Sequence, residues 1–239
     1  SLKFKMKKYI LKNNQSPWLE EIYLRELGYK ENGFFVEIGV GHSFVPEWDI
    51  YNKTGGLSSS NTGPLADMGW KGILVEPHPF YYQECQERHK SNNVKIVNCA
   101  AGAENAQRVL GMGDTLRPEV RDNFYRLNWL TEEQRKNDYP DHTFQVQERE
   151  VMSVLKEQNC PKSFDLLSVD VEGYEKIIFS SLDLDFYNPK LITVESRSED
   201  PRFDQVFRQE SKDVENIILS QGYKKIYSDI LNIAFVKNS

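Results

Sequence analysis

Five short, nearly unbroken apolar runs punctuate the chain, at residues 34–38, 72–76, 94–99, 164–170 and 191–195. Runs of that length and composition suit strands buried on both faces of a parallel sheet. Between and around them, apolar residues recur at helical spacing. The first such stretch is 16–28, with Ser16 placed to cap, Pro17 at the first helical position and Gly28 at the stop. Trp18, Leu19, Ile22, Tyr23 and Leu27 give it an apolar side. Helices are also predicted at 62–69, 79–90, 151–158, 174–182 and 204–220. Strands alternating with helices imply a parallel sheet wound with right-handed crossovers. The chain closes differently: 223–227 and 233–236 read as a hairpin, adding two strands, one of them antiparallel.

Two segments do not fit the alternation. Residues 42–60 are rich in Gly, Ser and Pro, with Trp48 and Tyr51 as aromatic anchors, and read as a loop insertion. Residues 102–142 carry Phe124, Tyr125, Trp129 and Tyr139 among charges and amides. They are predicted to pack over the ligand edge of the sheet as a substrate-side insertion or to form a local helical core, and a strand at 144–147 follows.

Composition narrows the class. The 239 residues fit a single domain, and a net charge of −6 without a long basic run argues against nucleic acid as a partner. No stretch approaches a membrane span. Cys85, Cys99 and Cys160 are odd in number and widely spaced, which suggests a reducing, cytoplasmic setting and neither a disulfide framework nor a zinc site.

The candidate chemistry lies at the ends of the runs. Glu37-Ile38-Gly39-Val40-Gly41 ends the first. A buried strand closing in glycines is where nucleotide-like ligands rest in open α/β sheets, though a plain tight turn has the same pattern. The third glycine of the dinucleotide fingerprint is missing, and no phosphate loop follows. An acid before the glycines suits a ligand with a cationic amino-acid end, such as S-adenosylmethionine. Glu76, followed by Pro77, ends the second run, where a carboxylate can accept both hydroxyls of a ribose. Asp170 and Glu172 end the fourth and Glu195 the fifth. On that shared rim the three could bind a hard divalent cation, activate a hydroxyl, or do both. Alternatively Asp170 caps the next helix with Glu172 in its first turn. His42 and His78 stand at the same edge as candidate general bases.

At this point a family resemblance becomes specific. Ser60-Asn61-Thr62-Gly63-Pro64, Gly69-Trp70-Lys71-Gly72-Ile73-Leu74-Val75-Glu76-Pro77 and Asp170-Val171-Glu172-Gly173-Tyr174-Glu175 resemble blocks of the FkbM-type S-adenosylmethionine-dependent methyltransferases. Phe35-Val36-Glu37-Ile38-Gly39, Asn98-Cys99-Ala100-Ala101-Gly102 and Ile192-Thr193-Val194-Glu195 complete the set, in the family's order. The expected fold is accordingly the Rossmann-like sheet of class I methyltransferases, seven-stranded and mostly parallel with a C-terminal antiparallel hairpin. By resemblance the donor contacts Glu37, Gly39, Asn61, Glu76, Ala100 and Ala101, and position along the same rim adds Gly41, Pro77 and Asp170 as candidates. The resemblance implies O-methylation of a sugar or glycan hydroxyl, and position at the sheet edge makes Asp170, Glu172, Glu195 and His42 the catalytic candidates. Natural-product or lipid hydroxyls are the alternative acceptors, and a nicotinamide-dependent oxidoreductase is the rival of another class. The chain departs from the family pattern at Val40-Gly41-His42 and in the length of 42–60. Its Ser1-Leu2 start, with a first methionine at Met6, fits one domain of a larger glycan-processing polypeptide.

Overall fold

Phe35, Val36, Glu37 and Ile38 are all buried, so the strand they form, β1 (Phe34–Ile38), is covered on both faces. The structure is a computed structural model and describes residues 17–28, 30–43, 59–111, 131–138, 140–201, 203 and 205–238. Helix α1 (Pro17–Glu26) precedes β1. After it come α2 (Gly63–Asp67), β2 (Lys71–Val75), α3 (Pro79–Arg88) and β3 (Val94–Val97). Three strands then depart from the alternation: β4 (Ala100–Gly102), β5 (Ala106–Gly111) and, after α4 (Glu132–Asp138), β6 (Thr143–Glu150). Alternation resumes with α5 (Val151–Glu157), β7 (Ser163–Val169), α6 (Glu175–Ser181), β8 (Asn188–Glu195) and α7 (Gln205–Ser220). The hairpin β9 (Tyr223–Ser228) and β10 (Asn232–Lys237) closes the chain.

The main sheet has the order β3-β2-β1-β7-β8-β10-β9. β1, β2, β3, β7 and β8 pair in parallel, and β10 runs antiparallel to both β8 and β9. This is the expected class I sheet. Strand alternation divides the core into two layers. Val36, Ile38, Ile73, Val75, Leu167 and Val169 pack with Leu155 of α5, Phe179 of α6 and Ile218 of α7. Phe35, Leu74, Leu166 and Leu191 pack on the other face with Leu19 and Tyr23 of α1, Leu65 of α2 and Cys85 of α3. Each such fully buried aliphatic side chain contributes about 1.5–3 kcal/mol by leaving water. No helix among the described residues is long and apolar enough to cross a membrane.

A second sheet, β4-β6-β5, was not anticipated, and β6 is longer than the predicted 144–147. Part of the expected 102–142 insertion is therefore β-structure, with β4 parallel and β5 antiparallel to β6. Ser16, residues 44–58 with Trp48 and Tyr51, residues 112–130 with Phe124, Tyr125 and Trp129, and Tyr139 lie outside the described residues.

Candidate active site

The strand order reverses at β1, with β2 and β3 on one side and β7 and β8 on the other. At such a switch point neighbouring crossovers leave on opposite faces, and a crevice opens at the carboxyl ends. Here it is a cavity of about 780 Å³, a size typical of small-molecule sites.

The glycine turn forms its floor and is pinned to both neighbours. Gly39 donates its N–H to the Val75 carbonyl at 2.9 Å, and Asp170 donates to the Ile38 carbonyl at 3.0 Å. Gly39 has φ +84°, and a Cβ there would overlap the Asp170 carbonyl oxygen. Gly41 has φ +64°, with Ser59 Oγ 2.6 Å from where a Cβ would stand. Glycine is required at Gly39 and strongly favoured at Gly41, and the missing side chains let the Asp170 backbone and Ser59 close up against the turn.

Glu76, just past β2, lines the cavity and shapes this turn. Its Oε2 accepts the N–H groups of Val40 (3.0 Å) and Gly41 (2.8 Å), while Oε1 accepts that of His78 (2.8 Å). Burial pushes its carboxyl up to about 7, against the pull of these three bonds. A carboxylate has about four acceptor positions, so room remains for a hydroxyl of a bound ligand. Pro77, Ala100 and Ala101 continue this wall, and Tyr81 and Phe144 give it aromatic faces.

Glu37 is placed otherwise than its position in sequence suggests. At an odd position of β1 it faces α1 and α2, beneath the cavity and not on its lining. Its carboxylate accepts from Ser60 Oγ (2.7 Å), Asn61 N (2.6 Å) and Thr62 Oγ1 (2.5 Å), and burial raises it to about 7. Asn61 is held there too, donating its side-chain amide to Ser168 Oγ at 3.3 Å. Both residues support the floor from below.

Both histidines have hydrogen-bonding partners outside the cavity, although His78 also lines it. His42 Nδ1 lies 2.9 Å from Glu84 Oε2, which turns the ring toward α3 and off the cavity lining. His78 caps α3: its Nδ1 accepts the N–H groups of Phe80 (3.1 Å) and Tyr81 (3.5 Å). Burial lowers its pKa to about 4, so the ring is neutral near pH 7.

Asp170 and Glu172 line the cavity at the end of β7; Glu195, at the end of β8, lies behind them and is paired with Arg197. Asp170 does not cap a helix. Instead α6 begins at Glu175, whose carboxylate turns back to accept the N–H groups of Val171 (2.9 Å) and Gly173 (3.0 Å). Burial raises the pKa values of Asp170, Glu175 and Glu195. Glu172 holds φ +53°, an uncommon conformation for a residue with a side chain. The outer wall holds Arg108, Glu132 and Tyr174. Arg108 and Tyr174 both donate to the buried Glu148, at 2.5 and 3.2 Å. Glu175, Arg197, Glu148 and the β5 wall were not foreseen. For Glu175, the DVEGYE block already contained the residue.

Comparison with known proteins adds the family. The model of the methyltransferase FkbM domain matches residues 49–225. Solved structures that resemble the chain include the Methanococcus jannaschii fibrillarin pre-rRNA processing protein, at 13% identity and a TM-score of 0.41, covering 88% of this chain and 68% of that one. Aeropyrum pernix fibrillarin, solved with S-adenosyl-L-methionine, has 10% identity and a TM-score of 0.41, covering 87% and 67%. The ribosomal protein L11 methylase of Lactobacillus delbrueckii subsp. bulgaricus has 8% identity and a TM-score of 0.43, covering 95% and 81%. Likenesses this weak carry no argument about activity. No curated protein matches the chain.

Proposed function

The chain belongs to the FkbM methyltransferase family and is an S-adenosylmethionine-dependent methyltransferase, and from that premise we propose that it methylates a hydroxyl oxygen of a sugar or glycan. Bound S-adenosylmethionine supplies an electrophilic methyl carbon on a sulfonium centre, and S-adenosylhomocysteine is left when that carbon passes to the acceptor oxygen. The residues present suit the donor. Gly39 and Gly41 line the cavity with bare backbone, and Glu76 keeps an acceptor position for a ribose hydroxyl. Ala100 and Ala101 leave space for the base between aromatic walls.

The observation that carries the acceptor reading is the placement of Asp170. It lines the cavity together with Gly39, Gly41 and the polar side chains of Glu172, Tyr174, Arg108 and Glu132. Burial raises its pKa, which makes it a better acceptor for a hydroxyl's hydrogen bond and proton. Those polar side chains suit an acceptor with several hydroxyls. Orientation of the attacking oxygen supplies most of the rate advantage, because the donor already carries its leaving group. Glu172 stands next to Asp170 as the partner group. Glu37, His42 and Glu195 act behind the surface.

Leu110, Phe144, Ile177 and Phe207 also line the cavity, and they favour a second reading in which the hydroxyl belongs to a natural product or a lipid. Transfer of labelled methyl to a panel of saccharides and long-chain alcohols, with the product located by NMR, separates the two. Label on a saccharide oxygen supports the proposal. Label only on the alcohols moves it to the second reading, and label on nitrogen or carbon overturns both.

A further inference from the structure

Behind the cavity floor, Asp170, Glu175 and Glu195 each bring a carboxylate oxygen within 4.8 Å of the others. The sequence grouped Asp170 with Glu172 and Glu195, but the reversal of the chain before α6 substitutes Glu175. Three carboxylates this close and this buried repel one another strongly unless a cation or a shared proton stands among them. Arg197 answers part of the charge by pairing with one oxygen of Glu195 and lying 3.7 Å from Asp200. It does not satisfy the site. Glu195 Oε2 is buried with no hydrogen-bond partner, on a side chain only 8% exposed, and Arg197 Nε is buried without one as well. Asp170 and Glu195 face each other with carboxylate oxygens within 4.8 Å, and a carboxylate pair contains no donor unless one is protonated.

From these observations we propose that Asp170, Glu175 and Glu195 form a site for one hard divalent cation, of the Mg²⁺ or Mn²⁺ class, at the base of the methyl-transfer cavity. The spacing is close to what a hard cation needs: oxygens on opposite sides of Mg²⁺ at about 2.0–2.1 Å stand about 4.2 Å apart, and those of the larger Ca²⁺ at about 2.3–2.6 Å stand about 5 Å apart. The all-oxygen, all-carboxylate set selects hard cations over zinc or copper. Glu175 also bonds to the amides of Val171 and Gly173, which leaves one lone pair on each oxygen and fixes the direction in which it points. Asp170 alone of the three lines the cavity. It therefore joins the cation to whatever lies there, one oxygen on the metal and the other free to receive a hydroxyl. That use of the cation rests on the acceptor reading above; its binding does not.

The test titrates the full chain with Mn²⁺ alone and follows the free ion by electron paramagnetic resonance, while calorimetry follows S-adenosylhomocysteine binding separately. Saturable uptake of about one Mn²⁺ below about 1 mM is expected. Glu195→Gln, which keeps an oxygen for Arg197, and Glu175→Gln each weaken it by about tenfold or more, while Glu199→Gln, at an exposed acid of the same loop, leaves it unchanged. Retained S-adenosylhomocysteine binding by the variants reports that they are folded. No saturable uptake up to about 10 mM, or uptake indifferent to Glu195→Gln, overturns the site and assigns the cluster a shared proton. A chain that binds S-adenosylhomocysteine but no Mn²⁺ loses this site and keeps the methyltransferase reading. One that binds Mn²⁺ yet methylates no hydroxyl keeps the site and loses the acceptor.

Discussion

Gly39 and Asp170 touch through their backbones: a Cβ on residue 39 would overlap the carbonyl oxygen of Asp170. The end of β1 and the end of β7 thus approach at a distance that only glycine allows, with φ +84° as a second constraint. Gly39→Ala is expected to cost about 3 kcal/mol or more in stability through left-handed strain and overlap together. It should also weaken S-adenosylhomocysteine binding by about a hundredfold, because the floor must move. Thermal unfolding and calorimetry on the same preparation check both. An alanine variant that binds normally would remove Gly39 from the site.

Glu76 holds three backbone amides at once, those of Val40, Gly41 and His78. In Glu76→Gln an NH₂ must face one set of these donors, which leaves at least one amide unpaired at a cost of about 1–3 kcal/mol. The turn that it shapes borders the cavity, so donor affinity should fall by about ten- to a hundredfold. Calorimetry decides between this and a purely exposed carboxylate, whose loss would leave affinity within a factor of two or so.

Glu37 supplies a pH test. Burial raises its carboxyl from 4.5 to about 7, so between those values the folded protein holds a proton that the unfolded chain releases. Its contribution is fully present below about 4.5 and is lost as pH rises through about 7. Glu37→Gln fixes the neutral shape. The melting temperature of the variant should therefore gain on that of the parent from pH 5 to pH 8, by the equivalent of up to about 3 kcal/mol. A difference constant with pH would contradict the assignment.

His78 gives a smaller and more local effect. Its ring accepts the first free amides of α3, so His78→Ala should cost about 1 kcal/mol and His78→Asn, a good cap, much less. Since burial keeps the ring neutral down to about pH 4, neither variant should move a rate-profile limb near pH 6.5. A shifted limb would return His78 to the list of candidate bases.

Much of the sheet was legible because its strands are buried on both faces and read as plain apolar runs, as in Leu166-Leu167-Ser168-Val169. β5 was not, since Ala106-Gln107-Arg108-Val109-Leu110-Gly111 is half-exposed and carries no clean period; β4, at Ala100–Gly102, is too short for one. The site divided in the same way. Gly39, Gly41, Glu76 and Asp170 sit at strand ends, and strand ends converge by topology alone. The partners of Glu37 lie 23 to 25 residues away in sequence, and nothing local marks that odd positions of β1 face Ser60, Asn61 and Thr62. Glu175 escaped notice for a related reason: only the backward turn from Val171 to Gly173 brings it beside Asp170 and Glu195.

The most direct measurement is a crystal structure of the protein with S-adenosylhomocysteine. The nucleoside is expected between Glu76 and the Ala100–Ala101 wall, and the amino-acid end over Gly39 beside Asp170. Density for the ligand away from the glycine turn, or a ligand that leaves Glu76 and Asp170 untouched, would contradict this placement of the donor site.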